Sequence, residues 1–237
     1  MTTQTLLLLS VAVAFAAFVQ GTTGVGFALI TAPLLGLLAP DLVPVGVLAL
    51  MLPLNLYVAW RERGAIDLRG AAWITVGRTV GTAGGVWVLA MLSPSALAIF
   101  VGGSILAAVL ATLVLSPFAP TRHALLSAGV VTGITETATG VGGPPLALVY
   151  QHQPVPVMRA TIAVCFLLGE LVSLAVLAGT GHAGAREFGS AALLLPALLS
   201  GAIGSRFMHL RVNARFMRAF VLVFSSCSAL LLLLKAS

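Results

Sequence analysis

Residues 135–145 read Thr-Glu-Thr-Ala-Thr-Gly-Val-Gly-Gly-Pro-Pro and stand in the middle of a long apolar run, 123–151. A second polar break, Gln-Gly-Thr-Thr-Gly-Val-Gly-Phe over residues 20–27, interrupts another apolar run, 5–38. Around these breaks the chain is almost pure hydrocarbon. Of 237 residues 59% are hydrophobic and 8% charged, with a mean hydropathy of +1.12. A soluble domain carries roughly 25% charged residues. Ordinary soluble enzymes, disordered chains and disulfide scaffolds are thereby excluded. About 20 apolar residues cross a bilayer core as a helix, so the length admits about eight hydrophobic segments with short connections. The segments are apolar all round, as in 6–19 and 222–234, which does not fit the alternation of a membrane β-barrel. An all-α polytopic membrane protein is the fold class that remains.

Loop signals divide the chain. Uninterrupted candidate spans fall at about 43–60, 70–92, 95–117, 159–179, 189–208 and 216–234, and the two Gly-broken runs complete the set. The N-terminal segment has the apolar length of a signal peptide but no basic region before it and no cleavage site, so it reads as retained.

The chain repeats itself. Gly24-Val25-Gly26 recurs as Gly140-Val141-Gly142, 116 positions on; Gly81-x-x-Gly84 recurs as Gly201-x-x-Gly204, and Phe100-Val101 as Phe220-Val221, both 120 on. Residues 1–117 and 118–237 are therefore expected to be two copies of one unit. Arginine decides their relative orientation. With eight simple crossings the basic residues divide six to five, with no bias. If each broken run is instead a hairpin that enters and leaves on one side, each copy has three full crossings and the copies are inverted. Arg61, Arg63, Arg69, Arg122, Arg159, Arg206, Arg211, Arg215 and Arg218 then share one face, with Arg186 and Lys235 on the other. That division obeys the positive-inside rule. Inverted repeats with interrupted helices are a transporter architecture. The net charge of +6 is thus read as topology control, and nucleic acid is not an expected partner.

Open backbone inside a membrane is tolerated only where protein or a wet cavity satisfies it. Glycines allow close approach of a ligand, and a half-helix N-terminus presents N–H groups to an anion. Candidate binding residues are therefore Gln20, Gly21, Thr22, Thr23, Gly24 and Gly26 in the first break. Thr135, Thr137, Thr139, Gly140, Gly142 and Gly143 are their counterparts in the second. Neither break is a nucleotide loop, since the P-loop Lys and its βαβ setting are missing.

Three ionisable residues lie within apolar spans: Arg78, Glu136 and Glu170. Each costs about 2.5–3.5 kcal/mol or more at a bilayer centre and needs a cavity or a partner. Arg78 is a candidate countercharge for an anion, or a structural partner for a Glu. Glu136 aligns with Gln20 and Glu170 with Asn55, so either carboxylate is a candidate proton carrier, Glu136 first because it adjoins a break. Gly77, Gly81 and Gly85 form a smooth ridge for helix packing. Trp60 and Trp73 read as interface anchors. His123, His152, His182 and His209 show no ligand spacing, so no metal or other cofactor is expected; Cys165 and Cys227 read as core.

The paired Gly-rich elements, Pro33, Pro144-Pro145 and the duplication resemble the sulfite exporter family TauE/SafE over essentially the whole chain. Many members carry another glycine where this chain has Phe27. The resemblance implies a bacterial inner-membrane, multi-pass transporter of sulfite, sulfonates or related sulfur anions. The expected reading is a secondary transporter of a small anion, with protons as coupling ion, lipid around it, and a homodimer admitted. A small-anion channel is the alternative. An intramembrane enzyme is further off, because no nucleophile–base pair and no HExxH or GxSG motif is present.

Overall fold

The structure is a computed structural model and describes residues 3–114, 120–150, 152–208 and 214–236. Every regular element among them is helical. The first broken run forms α1 (Thr3–Thr23) and α2 (Phe27–Leu38), the second α6 (Arg122–Thr139) and α7 (Gly143–Tyr150). Between them lie α3 (Val45–Arg61), α4 (Leu68–Met91) and α5 (Pro94–Val114). After them come α8 (Val155–Gly179), α9 (Ala185–Ala192), α10 (Leu195–Met208) and α11 (Ala214–Ala236). Asp67 caps α4 by accepting the Gly70 N–H, and Thr121 caps α6 by accepting the Ala124 N–H.

The protein is a polytopic helical membrane protein. Among the described residues α1 and α8 each suffice by length and composition to cross a membrane, and α9 and α10 pass the same test together as a pair bent by 49°. Large apolar side chains stay exposed on the outside of the helices, among them Val11, Trp87, Leu113, Phe207 and Leu234. Lipid, which is as apolar as these side chains, is the solvent that suits them.

The expected span at 189–208 is corrected in one respect: it bends at Leu193-Leu194 into α9 and α10. Pro196, in the first turn of α10, has no N–H to donate to the carbonyl four residues back, at the end of α9, so the helical ladder is cut there. A second correction concerns Cys227, which faces outward from α11, whereas Cys165 is buried as expected. In a membrane the outer surface is as apolar as the core, so hydropathy does not separate the two settings.

The helix ends group into two sets. Glu62, just after α3, binds Arg159 near the start of α8; Asp67, before α4, donates its N–H to Thr161 and accepts from Tyr150 at the end of α7. The guanidinium of Arg122, opening α6, lies 3.9 Å from the ring centre of Trp73 on α4. Ser205 of α10 abuts Gly21 near the end of α1. This is the basic end: among described side chains, every Arg except Arg78 and Arg186 belongs to it. Arg186 sits at the opposite end, 3.6 Å from Asp41 in a solvent-exposed pair.

It follows that α1 runs toward the basic end and α2 away from it, while α6 runs away and α7 returns. The two broken runs are hairpins rooted at opposite ends. Each packs on helices from the other half of the chain. Helix α6 lies along α4, where Gly77, Gly81 and Gly85 meet Gly129 and Gly133 backbone to backbone. Helix α1 lies along α10, with Gly201 against Ala14 and Gly204 against Phe18. Helices α3 and α8 pack together, as do α5 and α11.

Candidate functional site

Each break is shaped by left-handed glycines. Gly24 (φ +88°) and Gly26 (φ +122°) turn the chain between α1 and α2, and Gly140 (φ +78°) ends α6. Such angles are costly for residues with a Cβ. The local hydrogen bonding is the same in both: Gly24 donates its N–H to the Gln20 carbonyl, and Gly140 to that of Glu136, each at 2.7 Å. The side chains of Gln20 and Glu136, one turn back from their glycines, both point inward and are buried.

From the first break a directed chain of hydrogen bonds crosses the interior. The backbone N–H of Phe27 donates to Gln20 Oε1 (3.1 Å); Gln20 Nε2 donates to Asn55 Oδ1 (2.9 Å); Asn55 Nδ2 donates to Glu170 Oε1 (2.7 Å). All four residues are at most 2% exposed. From the second break Glu136 Oε2 accepts from Arg78 Nη2. Arg78 Nη1 donates to the Cys165 carbonyl (2.7 Å), and its guanidinium carbon lies 5.2 Å from the centre of the Phe166 ring. Thr137 Oγ1 and Ser173 Oγ share a hydrogen bond of 2.8 Å.

The two breaks meet. Gly143, opening α7, faces Val25 of the first break, and a Cβ built on Gly143 would lie 3.7 Å from that of Val25 and 3.9 Å from the Phe166 ring. Gly142 abuts Glu136, and its carbonyl accepts from Thr132 Oγ1. Three buried polar atoms beside this meeting point have no partner: Arg78 Nε, Glu136 Oε1 and Glu170 Oε2. The Arg78 guanidinium is bonded to Glu136, and Glu170 is bonded to the neutral Asn55 amide. On the outer side of the second break a cleft of about 450 Å³ opens between α5, α6 and α7, with Thr135 and Pro144-Pro145 in its wall.

The expected residues are placed as follows. Gln20, Glu136, Glu170 and Arg78 share the buried network, and Arg78 holds Glu136 rather than lining an empty cavity. Gly24 is filled from behind by Arg159, whose Cγ would lie 2.6 Å from a Cβ there, and Gly21 by Ser205. The threonine hydroxyls serve the protein in this state. Thr22 and Thr23 donate to the Val19 carbonyl, Thr135 to that of Val131 and Thr139 to that of Thr135. Thr23 also accepts from Val25 N–H, and Thr139 from Val141 N–H, so each breaks' turn is closed by its own hydroxyl.

Sequence reasoning missed the cluster that ties down the end of α1. Arg159 binds Glu62 through two nitrogens, Nε at 3.0 Å and Nη2 at 2.6 Å, and donates from Nη1 to the Thr22 carbonyl. Arg61 donates to the Gly21 carbonyl. Carbonyls at a helix C-terminus have no partner within the helix, and two guanidinium groups supply it here. The available signal was Arg159's place inside an apolar span rather than in the loop before it.

A helical membrane protein whose two broken helices meet over a buried guanidinium and two carboxyls belongs to the class that moves small solutes. The family model described as sulfite exporter TauE/SafE matches residues 9–232, and the chain belongs to that family. The family is one of membrane transporters for sulfur-containing anions such as sulfite. No curated protein and no solved structure matches the chain.

Proposed function

We propose that the chain is a secondary transporter that moves a small sulfur-containing anion, sulfite or a sulfonate, across the bacterial inner membrane. The anion binds where the two breaks meet, between Val25 and Gly143, within reach of Arg78. The contact between the breaks carries this reading, because it brings two sets of turn backbone close to the fully buried guanidinium of Arg78. Residues 1–117 and 118–237 act as inverted copies. The crossed packing supports this, since α1 lies on α10 as α6 lies on α4. The basic end faces the cytoplasm, as the positive-inside rule requires. Drive comes from a proton gradient through the enclosed carboxyls.

The test is thermal stability of the purified protein with sulfite, sulfate, methanesulfonate or acetate, since a ligand that binds the native state stabilises it. A sulfur anion should raise the midpoint and acetate should not. Gly143→Ala, whose Cβ would make ordinary van der Waals contact with Val25 and Phe166, should leave the unliganded midpoint within a few degrees and reduce the rise. An unchanged rise in that variant places the site elsewhere. Flux in liposomes should saturate with concentration; linear flux would make the protein a channel.

A further inference from the structure

The hydrogen-bond chain from Phe27 to Glu170 has a direction, and its ends fix it. A backbone N–H can only donate, so Gln20 must present its oxygen to Phe27 and its amide nitrogen to Asn55. Asn55 must then present its oxygen to Gln20 and its nitrogen to Glu170. Glu170 only accepts in this arrangement, so the recorded order suits the ionised or the protonated acid.

The reverse order is more demanding. With both amides turned over, Asn55 Oδ1 faces Glu170 Oε1, and only an O–H on Glu170 can bridge two oxygens. At the other end, Gln20 Nε2 and the Phe27 N–H become two donors aimed at one spot beside the first break. Two facing donors need an acceptor between them, and an oxyanion oxygen supplies it.

We propose that Gln20 and Asn55 form a reversible amide relay that makes anion binding at the first break conditional on a proton at Glu170. This rests on the reading that the breaks bind the anion, and it shifts the proton from Glu136 to Glu170. Glu136 is already held by Arg78, whereas Glu170 has a neutral amide on Oε1 and no partner on Oε2. The proton comes from water and forms one O–H bond on Glu170. When the anion leaves, the amides turn back and the proton is free to return to water. One proton accompanies one anion.

The charged groups facing Glu170 are Arg78 from α4 and Glu136 from α6; Asn55 from α3 is neutral, and Cys165 on α8 itself is the nearest thiol in the network. The other titratable groups on the packed helices lie toward the basic end: Arg61 over Tyr57, Glu62 with Arg159, Tyr150 with Asp67, Arg122 over Trp73, and Arg69 and His123 in the first turns of α4 and α6.

The probes are methanesulfonate and sulfate, whose charge is constant across neutral pH. Calorimetric titration in two buffers of different ionisation heat counts the protons taken up. At pH values where Glu170 is ionised in the free protein, wild type should take up about one proton per anion, and affinity should there fall about tenfold for each further pH unit. Glu170→Gln, which can donate or accept on either side, should bind with no uptake and no pH dependence. Binding without uptake in wild type, or uptake that persists in Glu170→Gln, overturns the relay and leaves the binding site standing. No binding of either anion by wild type at any pH removes the site and the relay together. Should Glu170→Gln fail to fold, the infrared difference spectrum of wild type decides. Adding the anion should produce a carboxylic acid C=O band, and an unchanged carboxyl region would overturn the relay.

Discussion

Arg78 is among the largest fully buried side chains in the protein, and Glu136 is its only described carboxylate partner. Removing one member of a buried ion pair leaves a charge with nothing to offset it, which costs about 3–5 kcal/mol. Arg78→Ala should therefore lower the unfolding midpoint in detergent sharply. Arg78→Met combined with Glu136→Leu should recover most of the loss, because no orphaned charge remains; a double variant as unstable as the single would show that the pair is not the unit of stability. Gly169 belongs to the same unit, since any side chain there would enter the guanidinium. The pair was within reach of the sequence: Arg, Glu and Glu in apolar runs must find partners. Which Glu the Arg takes was not, because both lie at helix depth and only packing separates them. The alignment of Asn55 with Glu170 was legible, but neither their hydrogen bond nor the direction of the amide chain was.

The α4–α6 contact shows what glycine periodicity does for a helix pair. A Cβ at Gly81 would enter the backbone of α6 at Val130, and one at Gly133 the backbone of α4 at Arg78. Close backbone approach is the usual route to helix association in lipid, where no hydrophobic drive exists. Gly81→Leu should cost about 1–3 kcal/mol or more from overpacking, read as a drop in the unfolding midpoint. Gly103→Leu, at a position with nothing within 4 Å, should leave it unchanged. Equal effects would deny the ridge its role. The ridge on α4 was legible from its spacing. Its complement on α6, Gly129 and Gly133, has the same spacing and lies in a run whose break drew attention to its other end. The bend between α9 and α10 was hidden because Ala191-Ala192 before it and Leu195 after it keep the run apolar, and hydropathy carries no information about angle.

For the whole molecule, the segregation of arginine was the most legible property, because it depends on the order of charges along the chain rather than on packing. It sets a prediction about sidedness. With Cys165 and Cys227 replaced, single cysteines at Ser95 and His182 should react with an impermeant thiol reagent applied outside cells. Those at Arg63 and His152 should react only after the membrane is opened. All four positions are exposed. Labelling of 63 and 152 from outside would invert the orientation; labelling of one residue from each pair would dissolve the two-ended arrangement.

The crossed packing of the hairpins also bears on how the protein is made. Helix α1 emerges from the ribosome well before the helix it lies against, α10, which follows it by about 170 residues at the roughly 5–20 residues per second of synthesis. Until then its Gly21 carbonyl can meet Arg61, but the Thr22 carbonyl lacks Arg159, and the face that Gly201 later covers stays open. The nascent protein must therefore be held by the insertion machinery, or by a membrane chaperone, through most of its synthesis. A ribosome stalled after α5 would leave α1 without α10 and α4 without α6, with both glycine-lined faces uncovered.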